Sequence, residues 1–361
     1  MRSVLPQLVA DIGTLIECES PSADPAAIER SAGVVAALGT RLLGAAPERL
    51  GSGHLRWRFG GPSRVLLLGH HDTVWPLGSL ATRPFRVEGG VLRGPGCFDM
   101  KAGLALALHA VAALPDRAGV TVLVTGDEEI GSPTSRELIE SAARGCVAAL
   151  VFEGAADGGA LKTERKGTSA YQVRALGRAA HAGLEPERGV NAAIELAHQL
   201  LAVGALADPV LGTTVTPTVL TAGSTTNTVP AAGEFAVDVR ARDVAEQQRV
   251  DRALRALRPV LPGARLAVSG GPNRPPLSVA ASADLYARTV RLAAKLGLDP
   301  PGQAAVGGGS DGNFTAGLGV PTLDGLGAVG GGAHADDEHV LVDALPGRAA
   351  LLVALIADLL R

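Results

Sequence analysis

In the first half of the chain, short apolar runs alternate with segments of helical pattern. The runs 64–69, 119–125 and 148–152 are rich in Val and Leu, which is typical of strands that are buried on both faces. The segments 100–114 and 134–144 lie between them and have the composition of helices. This order predicts a mostly parallel sheet that is covered by helices on both faces.

From about residue 166 the hydrophobic pattern changes. Residues 168–176, 213–222 and 234–240 alternate between apolar and polar side chains, as half-exposed antiparallel strands do. Helical patterns at 190–201 and 244–258 accompany these strands. We therefore predict an α+β domain in which two helices cover one side of a four-stranded antiparallel sheet.

A glycine- and proline-rich stretch marks the predicted exit from this second domain. Residues 270–276 read Gly-Gly-Pro-Asn-Arg-Pro-Pro, which is typical of a hinge. Beyond it the alternation of helix and strand resumes, so the α+β domain is predicted to be inserted into an α/β domain. The predicted boundaries are 1–165 with 275–361 for the α/β domain and 166–274 for the inserted domain.

Length and composition agree with two globular domains. The chain has 361 residues, of which 47% are hydrophobic and 19% charged, so it can bury two cores. The formal net charge is −3 and the sequence has no long basic run. This balance argues against a nucleic-acid partner.

Cysteine usage and the apolar segments indicate the cellular compartment. Three widely spaced cysteines fit a reducing environment better than a disulfide framework. Asp11 places an acid too early for a secretory leader, so residues 1–11 are predicted to form a surface helix. The most apolar stretches fall short of the roughly 20 residues that span a membrane. We therefore expect a cytoplasmic protein with no membrane partner.

Five short stretches place potential metal ligands at the ends of apolar runs. They contain two histidines and several carboxylates: His70 with Asp72, Asp99, Glu128 with Glu129, Glu153, and His334. A two-zinc hydrolytic site needs such a set, because zinc binds imidazole nitrogen and carboxylate oxygen and a separate base must stand nearby. Most of these residues follow predicted parallel strands, whose carboxyl ends share one edge, so we expect them to converge.

Two of the stretches carry neighbouring candidates with different expected roles. His70 and Asp72 alternate along an extended segment, so Asp72 can orient a metal-bound His70 through its other ring nitrogen. The adjacent side chains of Glu128 and Glu129 diverge, so one can bind metal while the other acts as general base. The alternative for two acids in a turn is simple solvation.

Other polar residues near these stretches have simpler interpretations. His71 is predicted to flank the site rather than bind metal, and Asp127 to form the loop. Cys97 is interpreted as a buried thiol, with a ligand or nucleophile as the alternative. His339 follows a run of acids and is predicted to be an exposed loop residue.

Taken in order, the motifs resemble those of a zinc-dependent hydrolase family. They are Gly-His-x-Asp-Thr-Val at 69–74, Gly-Pro-Gly-x-x-Asp-Met-Lys at 94–101 and Asp-Glu-Glu-x-Gly-Ser at 127–132, followed by Glu153 and His334. The family includes glutamate carboxypeptidases, acetylornithine deacetylases, succinyl-diaminopimelate desuccinylases and aminoacylases. The resemblance covers nearly the whole chain and is strongest to the glutamate carboxypeptidase (carboxypeptidase G) group. Cys97 and Phe98 depart from many relatives, so the pocket wall is expected to differ.

The resemblance implies a role for each residue of the site. Five residues would bind two zinc ions, with Co²⁺ or Mn²⁺ as alternative metals: His70 and Glu153 at one ion, Glu129 and His334 at the other, and Asp99 as the bridge. Glu128 would be the general base, and Asp72 the acceptor that orients His70. In this family the peptide bond after the bridging residue is typically cis, which predicts a cis bond between Asp99 and Met100.

The inserted domain resembles the family's lid and dimerisation domain. The stretch 177–183 resembles a lid motif whose histidine, here His181, reaches the substrate carbonyl of the other subunit in a homodimer. Asn227 lies in a second motif whose asparagine approaches the substrate. Arg274 would clamp a substrate α-carboxylate, with a surface hinge arginine as the alternative. The backbone N–H groups around Gly308 would assist it, with a simple turn as the alternative.

These observations predict a homodimeric metallo-carboxypeptidase. Such a di-zinc hydrolase would cleave the amide bond to a C-terminal amino acid such as glutamate in a small N-acyl amino acid or peptide. The alternative enzyme is a biosynthetic deacylase of the acetylornithine or succinyl-diaminopimelate type. A catalytically inactive relative that binds amino acids is a further alternative.

Overall fold

The computed structural model of the chain describes residues 4–361, so residues 1–3 of the predicted N-terminal helix lie outside the described part. These residues form two compact units. Unit 1 comprises the described residues up to Glu164 together with Leu277–Val306 and Ser310–Arg361, and unit 2 comprises Arg165–Pro276 and Gly307–Gly309.

The sequence pattern predicted helices at the positions of α1, α3, α4, α5 and α6, and the structure has further helices in unit 1. They are α1 (Leu5–Glu17), α2 (Pro25–Leu43), α3 (Ala102–Ala112), α4 (Arg136–Ala143), α5 (Ala192–Gly204), α6 (Val244–Arg255), α7 (Val279–Lys295), α8 (Gly312–Gly317) and α9 (Leu345–Leu360). Among residues 4–361, no helix combines the length and apolar character needed to cross a membrane.

The strands are short in unit 1 and longer in unit 2. They are β1 (Glu48–Leu50), β2 (His54–Phe59), β3 (Val65–His70), β4 (Arg86–Glu88), β5 (Val91–Arg93), β6 (Val120–Thr125), β7 (Ala148–Val151), β8 (Leu161–Arg165), β9 (Gly167–Leu176), β10 (Thr214–Ala222), β11 (Ala232–Ala241), β12 (Arg265–Arg274), β13 (Gln303–Val306), β14 (Thr322–Leu323), β15 (Gly330–Gly331) and β16 (His339–Leu341).

The main sheet of unit 1 is mostly parallel, as predicted. Its strand order is β1-β2-β6-β3-β7-β14. Strands β6, β3, β7 and β14 run parallel to one another, and β2 is antiparallel to both of its neighbours, β1 and β6. Strand β3 is buried on both faces, which explains its continuous apolar run in the sequence. Val65 and Leu67 join the core that contains α3 and α9, whereas Leu66 and Leu68 join a core on the other face with Ile139 of α4.

Parallel pairing brings three strand ends to one edge of this sheet. β3 ends at His70, β6 at Thr125 and β7 at Val151, and β3 pairs in parallel with both of the others. A smaller sheet of order β15-β16-β5-β4 pairs His339 with Arg93. It therefore joins the chain after residue 334 to the chain before Asp99.

Unit 2 is an antiparallel sheet of order β10-β11-β9-β12 with α5 and α6 packed against it. Alternate residues of the central strands, such as Val173 and Phe235, share a core with Leu196 of α5 and Val250 of α6. Both helices therefore cover the same face of the sheet. The α/β fold with a separate four-stranded antiparallel sheet is confirmed for the described residues.

One expectation about unit 2 is corrected by the structure. Residues 270–276 were predicted to form a hinge, but β12 continues to Arg274 through the glycines and Pro272. Pairing with β9 shifts register between Pro272 and Arg274, and this irregularity accommodates a residue that has no N–H to donate. A strand at the sheet edge tolerates such residues, so residues 270–274 are strand. Unit 2 ends directly after them, at Pro276.

Close backbone packing in unit 1 generates a stability prediction. Gly103 of α3 lies against the end of β7, and a Cβ at this position would overlap the carbonyl oxygen of Phe152. We expect Gly103→Ala to lower the free energy of unfolding by about 1–3 kcal/mol, because the helix must move away from the strand. Urea unfolding of the variant and the parent chain measures this difference.

The matched control is Gly33→Ala in α2. A Cβ on Gly33 would meet no atom within 4 Å, so this substitution is expected to raise stability by about 0.5–1 kcal/mol through helix propensity. Equal stability of both variants would show that the contact between α3 and β7 is not a rigid constraint.

Candidate metal centre

The candidate ligands lie at the carboxyl edge of the parallel strands. His70 is the last residue of β3, Glu153 follows β7 by two residues, and Glu128 begins a short 3₁₀ turn (Glu128–Ile130) after β6. Asp99 lies in a π-type turn (Cys97–Lys101), where the Asp99–Met100 peptide bond is cis, as the family resemblance predicts. His334 lies in the loop after β15 with a positive φ of 63°.

The carboxylate of Asp99 lies between the two histidines. Its Oδ1 is 3.3 Å from Nε2 of His70, and its Oδ2 is 3.3 Å from Nε2 of His334. Each oxygen thus faces a different imidazole. This is the arrangement of a carboxylate that bridges two cations.

One further carboxylate accompanies each histidine. Oε1 of Glu153 is 3.6 Å from Nε2 of His70, and Oε2 of Glu129 is 3.1 Å from Nε2 of His334. Glu128 belongs to the same group, because its carboxylate lies within 4.8 Å of the ligand atoms of His70 and Glu153. The structure therefore brings together all the candidate ligands and the candidate base.

The donor set fits a pair of metal ions. Among residues 4–361, Nε2 of His70 and Oε1 of Glu129 are buried side-chain atoms without a hydrogen-bond partner. Two ligand atoms about 2.0–2.1 Å from one tetrahedral zinc ion lie roughly 3.3 Å apart, which is the spacing of the His70, Asp99 and His334 atoms. Oxygen and imidazole nitrogen are also the ligands that zinc accepts.

The carboxylates of the cluster raise the pKa of both histidines. Hydrogen bonds to Asp99 and then Glu129 raise the pKa of His334 to about 10. Burial alone would lower the pKa of His70, but the carboxylates of Asp72, Asp99 and Glu153 outweigh it and raise the pKa well above the usual value. Burial also raises the pKa of Glu129. The cluster therefore favours cations at the position between its carboxylates.

Asp72 connects His70 to the loop of the two adjacent glutamates. Nδ1 of His70 lies 3.0 Å from the backbone oxygen of Asp72 and 3.3 Å from its Oδ1. The same carboxylate accepts hydrogen bonds from the backbone N–H groups of Glu128 and Glu129 and from Oγ of Ser22. Burial would raise the pKa of Asp72, but the hydrogen bonds from His70 and Ser22 outweigh it and lower the pKa.

Two more buried acids stabilise the loop that contains Glu128 and Glu129. Asp127 accepts hydrogen bonds from the backbone N–H and hydroxyl groups of Thr134 and Ser135, at distances of 2.5–3.2 Å. Asp311 accepts from the hydroxyl of Thr125 at 3.0 Å and from the hydroxyl of Ser132. The structure thus gives Asp127 the loop-forming role that the sequence indicated, and it adds Asp311.

Glu338 is a buried residue of this region that sequence reasoning missed. Its carboxylate accepts hydrogen bonds from the backbone N–H groups of Gly96, Phe98 and Asp99 and from Nε1 of Trp75. Burial raises the pKa of Glu338, and these backbone donors oppose the shift. The acidic run that contains it indicated an exposed loop, and a single sequence carried no signal of this burial.

Two other polar residues near the site have structural partners. His71 is buried, with Nδ1 3.0 Å from Oγ of Ser31 and Nε2 3.0 Å from the backbone oxygen of Gly53, so both nitrogens are occupied. Burial lowers the pKa of His71 to about 4. Cys97 is a buried thiol whose pKa is raised, mainly by burial. These properties do not suit a metal ligand or a nucleophile.

In unit 2, the loops of His181 and Asn227 pair with each other. The backbone N–H of Ala182 donates to the oxygen of Asn227, and residues 181 and 228 form a β-bridge. Nδ1 of the exposed His181 ring accepts hydrogen bonds from the backbone N–H groups of Gly183 and Leu184, both at 3.1 Å. In the neutral ring the hydrogen is therefore on Nε2, which leaves that atom as a donor.

Arg274 and Gly308 also lie in unit 2. Arg274 is buried at the end of β12, and its backbone oxygen accepts a hydrogen bond from Nε2 of Gln247. The oxygens of Gly308 and Gly309 accept from the guanidinium of the buried Arg165. The glycine stretch is thus held through its carbonyl groups, whereas the sequence interpretation concerned its N–H groups.

Comparison of the sequence with known proteins agrees with this site. The sequence model of peptidase family M20/M25/M40 matches residues 66–358. Carboxypeptidase G2 of Pseudomonas sp. (strain RS-16) is 34% identical over 312 residues, which cover 83% of this chain and 74% of that protein. Succinyl-diaminopimelate desuccinylase of Caulobacter vibrioides (strain NA1000 / CB15N) is 30% identical over 329 residues, covering 82% and 80% of the two chains.

Solved structures share the fold at lower sequence identity. A family M20 metallo-carboxypeptidase of Sulfolobus solfataricus is 17% identical, with a TM-score of 0.74 over 99% of both chains. A dinuclear metal-binding peptidase of the same family from Bacillus subtilis is 14% identical, with a TM-score of 0.67 over 99% of both chains. The chain therefore belongs to peptidase family M20/M25/M40 and is a metallopeptidase or amidohydrolase of that family.

Proposed function

We propose that this protein is a di-zinc hydrolase that releases a C-terminal amino acid such as glutamate from small N-acyl or peptidyl substrates. The observation that carries the proposal is the Asp99 carboxylate, which offers one oxygen toward His70 and the other toward His334. The buried side-chain atoms of His70 and Glu129 that have no hydrogen-bond partner support it. So does the similarity to carboxypeptidase G2.

The metal centre would be held by His70 and Glu153 on one side, Glu129 and His334 on the other, and Asp99 between them. When bound, the two ions supply Lewis acidity and make a water molecule acidic enough to be activated near neutral pH. The Glu128 carboxylate then takes a proton from the attacking water and delivers it to the leaving amine nitrogen. Asp72 keeps His70 and the Glu128 backbone in fixed positions throughout.

Oxyanion stabilisation is assigned to unit 2. The Nε2–H of His181 is the donor that would steady the negative charge on the carbonyl oxygen, from the partner protomer of a homodimer. Asn227, whose loop pairs with that of His181, would contact the same substrate. Arg274 would bind the α-carboxylate by a bidentate contact, with the Gly308 backbone beside it.

The first prediction separates the base from the ligands. Glu128→Gln removes the proton acceptor and is expected to lower kcat by about 10²–10⁴-fold. Steady-state kinetics and elemental analysis measure rate and metal content together, and we expect two metal ions per chain to remain. Glu137→Gln, the same change on the exposed surface of α4, is the matched control and should leave both quantities unchanged. Loss of a metal ion in the Glu128 variant would make Glu128 a ligand.

The second prediction concerns the donor in unit 2. His181→Ala is expected to lower kcat by about 10²–10³-fold, the usual effect of losing one oxyanion donor, with unchanged Tm and metal content. His198→Ala, an exposed histidine of α5 in the same unit, is the control. Parental kinetics of the His181 variant would remove His181 from the mechanism.

The third prediction identifies the substrate. A chelator should abolish amide hydrolysis, and added Zn²⁺, or Co²⁺ or Mn²⁺ in its place, should restore it. In a panel of substrates, we expect glutamyl-terminal peptides and N-acyl glutamates to give a higher kcat/KM than N-acetylornithine or N-succinyl-diaminopimelate. The reverse order would favour a biosynthetic deacylase, which the similarity to a desuccinylase also supports.

A further inference from the structure

The buried carboxylate of Glu338 accepts hydrogen bonds from two other segments of unit 1. Its Oε1 accepts from the backbone N–H groups of Phe98 at 2.9 Å and Asp99 at 3.0 Å. Its Oε2 accepts from the N–H of Gly96 at 2.8 Å and from Nε1 of Trp75 at 2.9 Å. Glu338 itself is 4% exposed.

These contacts join the segments that carry candidate ligands. Glu338 lies four residues after His334, in the loop between β15 and β16. Gly96, Phe98 and Asp99 belong to the turn of the bridging carboxylate, and Trp75 follows the stretch that begins at His70. One side chain therefore holds the bridging turn against the loop of a terminal ligand.

We propose that Glu338 is a positioning residue that sets the spacing of the two metal positions. Glu338 lies on the loop that presents His334, and its carboxylate holds the backbone N–H of Asp99. It thereby fixes the position of Asp99 relative to His334. The proposal rests on the proposed function, since it assumes that Asp99 and His334 bind metal. Glu338 does not face the ligand atoms in this role but acts through the backbone of the turn.

Four donors converge on the two oxygens of Glu338, and this geometry requires a carboxylate. A glutamine of the same shape would place its NH₂ group against two of these donors, because an amide nitrogen cannot accept a hydrogen bond. The turn of Asp99 would then have to shift. Side chains that orient metal ligands typically change metal affinity by about 10–100-fold when they are altered.

Glu195, a buried glutamate of unit 2, is a control that distinguishes positioning of metal ligands from a general contribution to stability. Glu195 is fully buried, and its carboxylate accepts hydrogen bonds from the backbone N–H groups of Val260 and Leu261 and from Nε2 of Gln199. It resembles Glu338 in burial and in its backbone partners. It belongs to the core of unit 2 and contacts no candidate metal ligand that we have named.

The experiment measures the zinc affinity of the full-length chain by competition with a chromophoric chelator. Glu338→Gln is expected to weaken zinc binding by about 10–100-fold. Glu195→Gln, the matched control, is expected to lower the Tm of the metal-free protein while leaving zinc affinity unchanged. Parental zinc affinity in folded Glu338→Gln overturns the proposal and leaves Glu338 a stabilising residue.

A second variant covers the case in which Glu338→Gln does not fold. Trp75→Phe keeps the ring but removes one donor to Oε2, and it is expected to weaken zinc binding severalfold without unfolding the protein. Unchanged affinity of this variant would then decide against the proposal. If the parent chain itself binds no zinc, the proposed function fails; if the parent binds zinc and the variants bind equally well, the failure is confined to Glu338.

Discussion

The close approach of several carboxylates at one edge of the parallel sheet is the main constraint on the loops of unit 1. Asp99, Glu129 and Glu153 approach each other and two histidines, of which His70 is buried and His334 is half exposed. Like charges at low dielectric repel, and a buried ionised group is costly unless it is paired. The loops, turns and neighbouring acids hold this cluster so that its oxygens face the imidazole nitrogens of His70 and His334.

The acids of the region divide into two groups by the partners of their oxygens. Asp72, Asp127, Asp311 and Glu338 accept hydrogen bonds from backbone N–H groups, hydroxyls or an indole, and they fix the loops. The cluster acids instead face imidazole nitrogens and each other. Charge-assisted hydrogen bonds to the first group are strong enough to hold the second group in place. The hydrogen-bonded acids therefore hold the cluster acids in a defined arrangement despite the repulsion between their charges.

The sequence predicted the parallel strands β3, β6 and β7 because each is buried along its whole length, which produces a continuous apolar run such as 65–68. It also placed the candidate ligands at strand ends, where parallel pairing must bring them together. The predicted hinge at 270–276 includes the last residues of β12, because glycines and Pro272 interrupt strands in most contexts, and unit 2 ends only after them at Pro276. An edge strand tolerates these residues, and a single sequence does not reveal which strand lies at an edge.

The amino-acid sequence was enough to predict the α/β class, the residue types of the candidate metal centre and the resemblance to the family. These follow from local periodicity and from motifs whose residues are close together in the chain. The folded chain was needed to give the distances from Asp99 to His70 and His334, to show that Asp72 also accepts a hydrogen bond from the Glu128 loop, and to show that Glu338 is buried. Each of these depends on contacts between residues tens to hundreds of positions apart. Burial and hydrogen-bond partners are set by how the whole chain packs, so no local sequence pattern reports them.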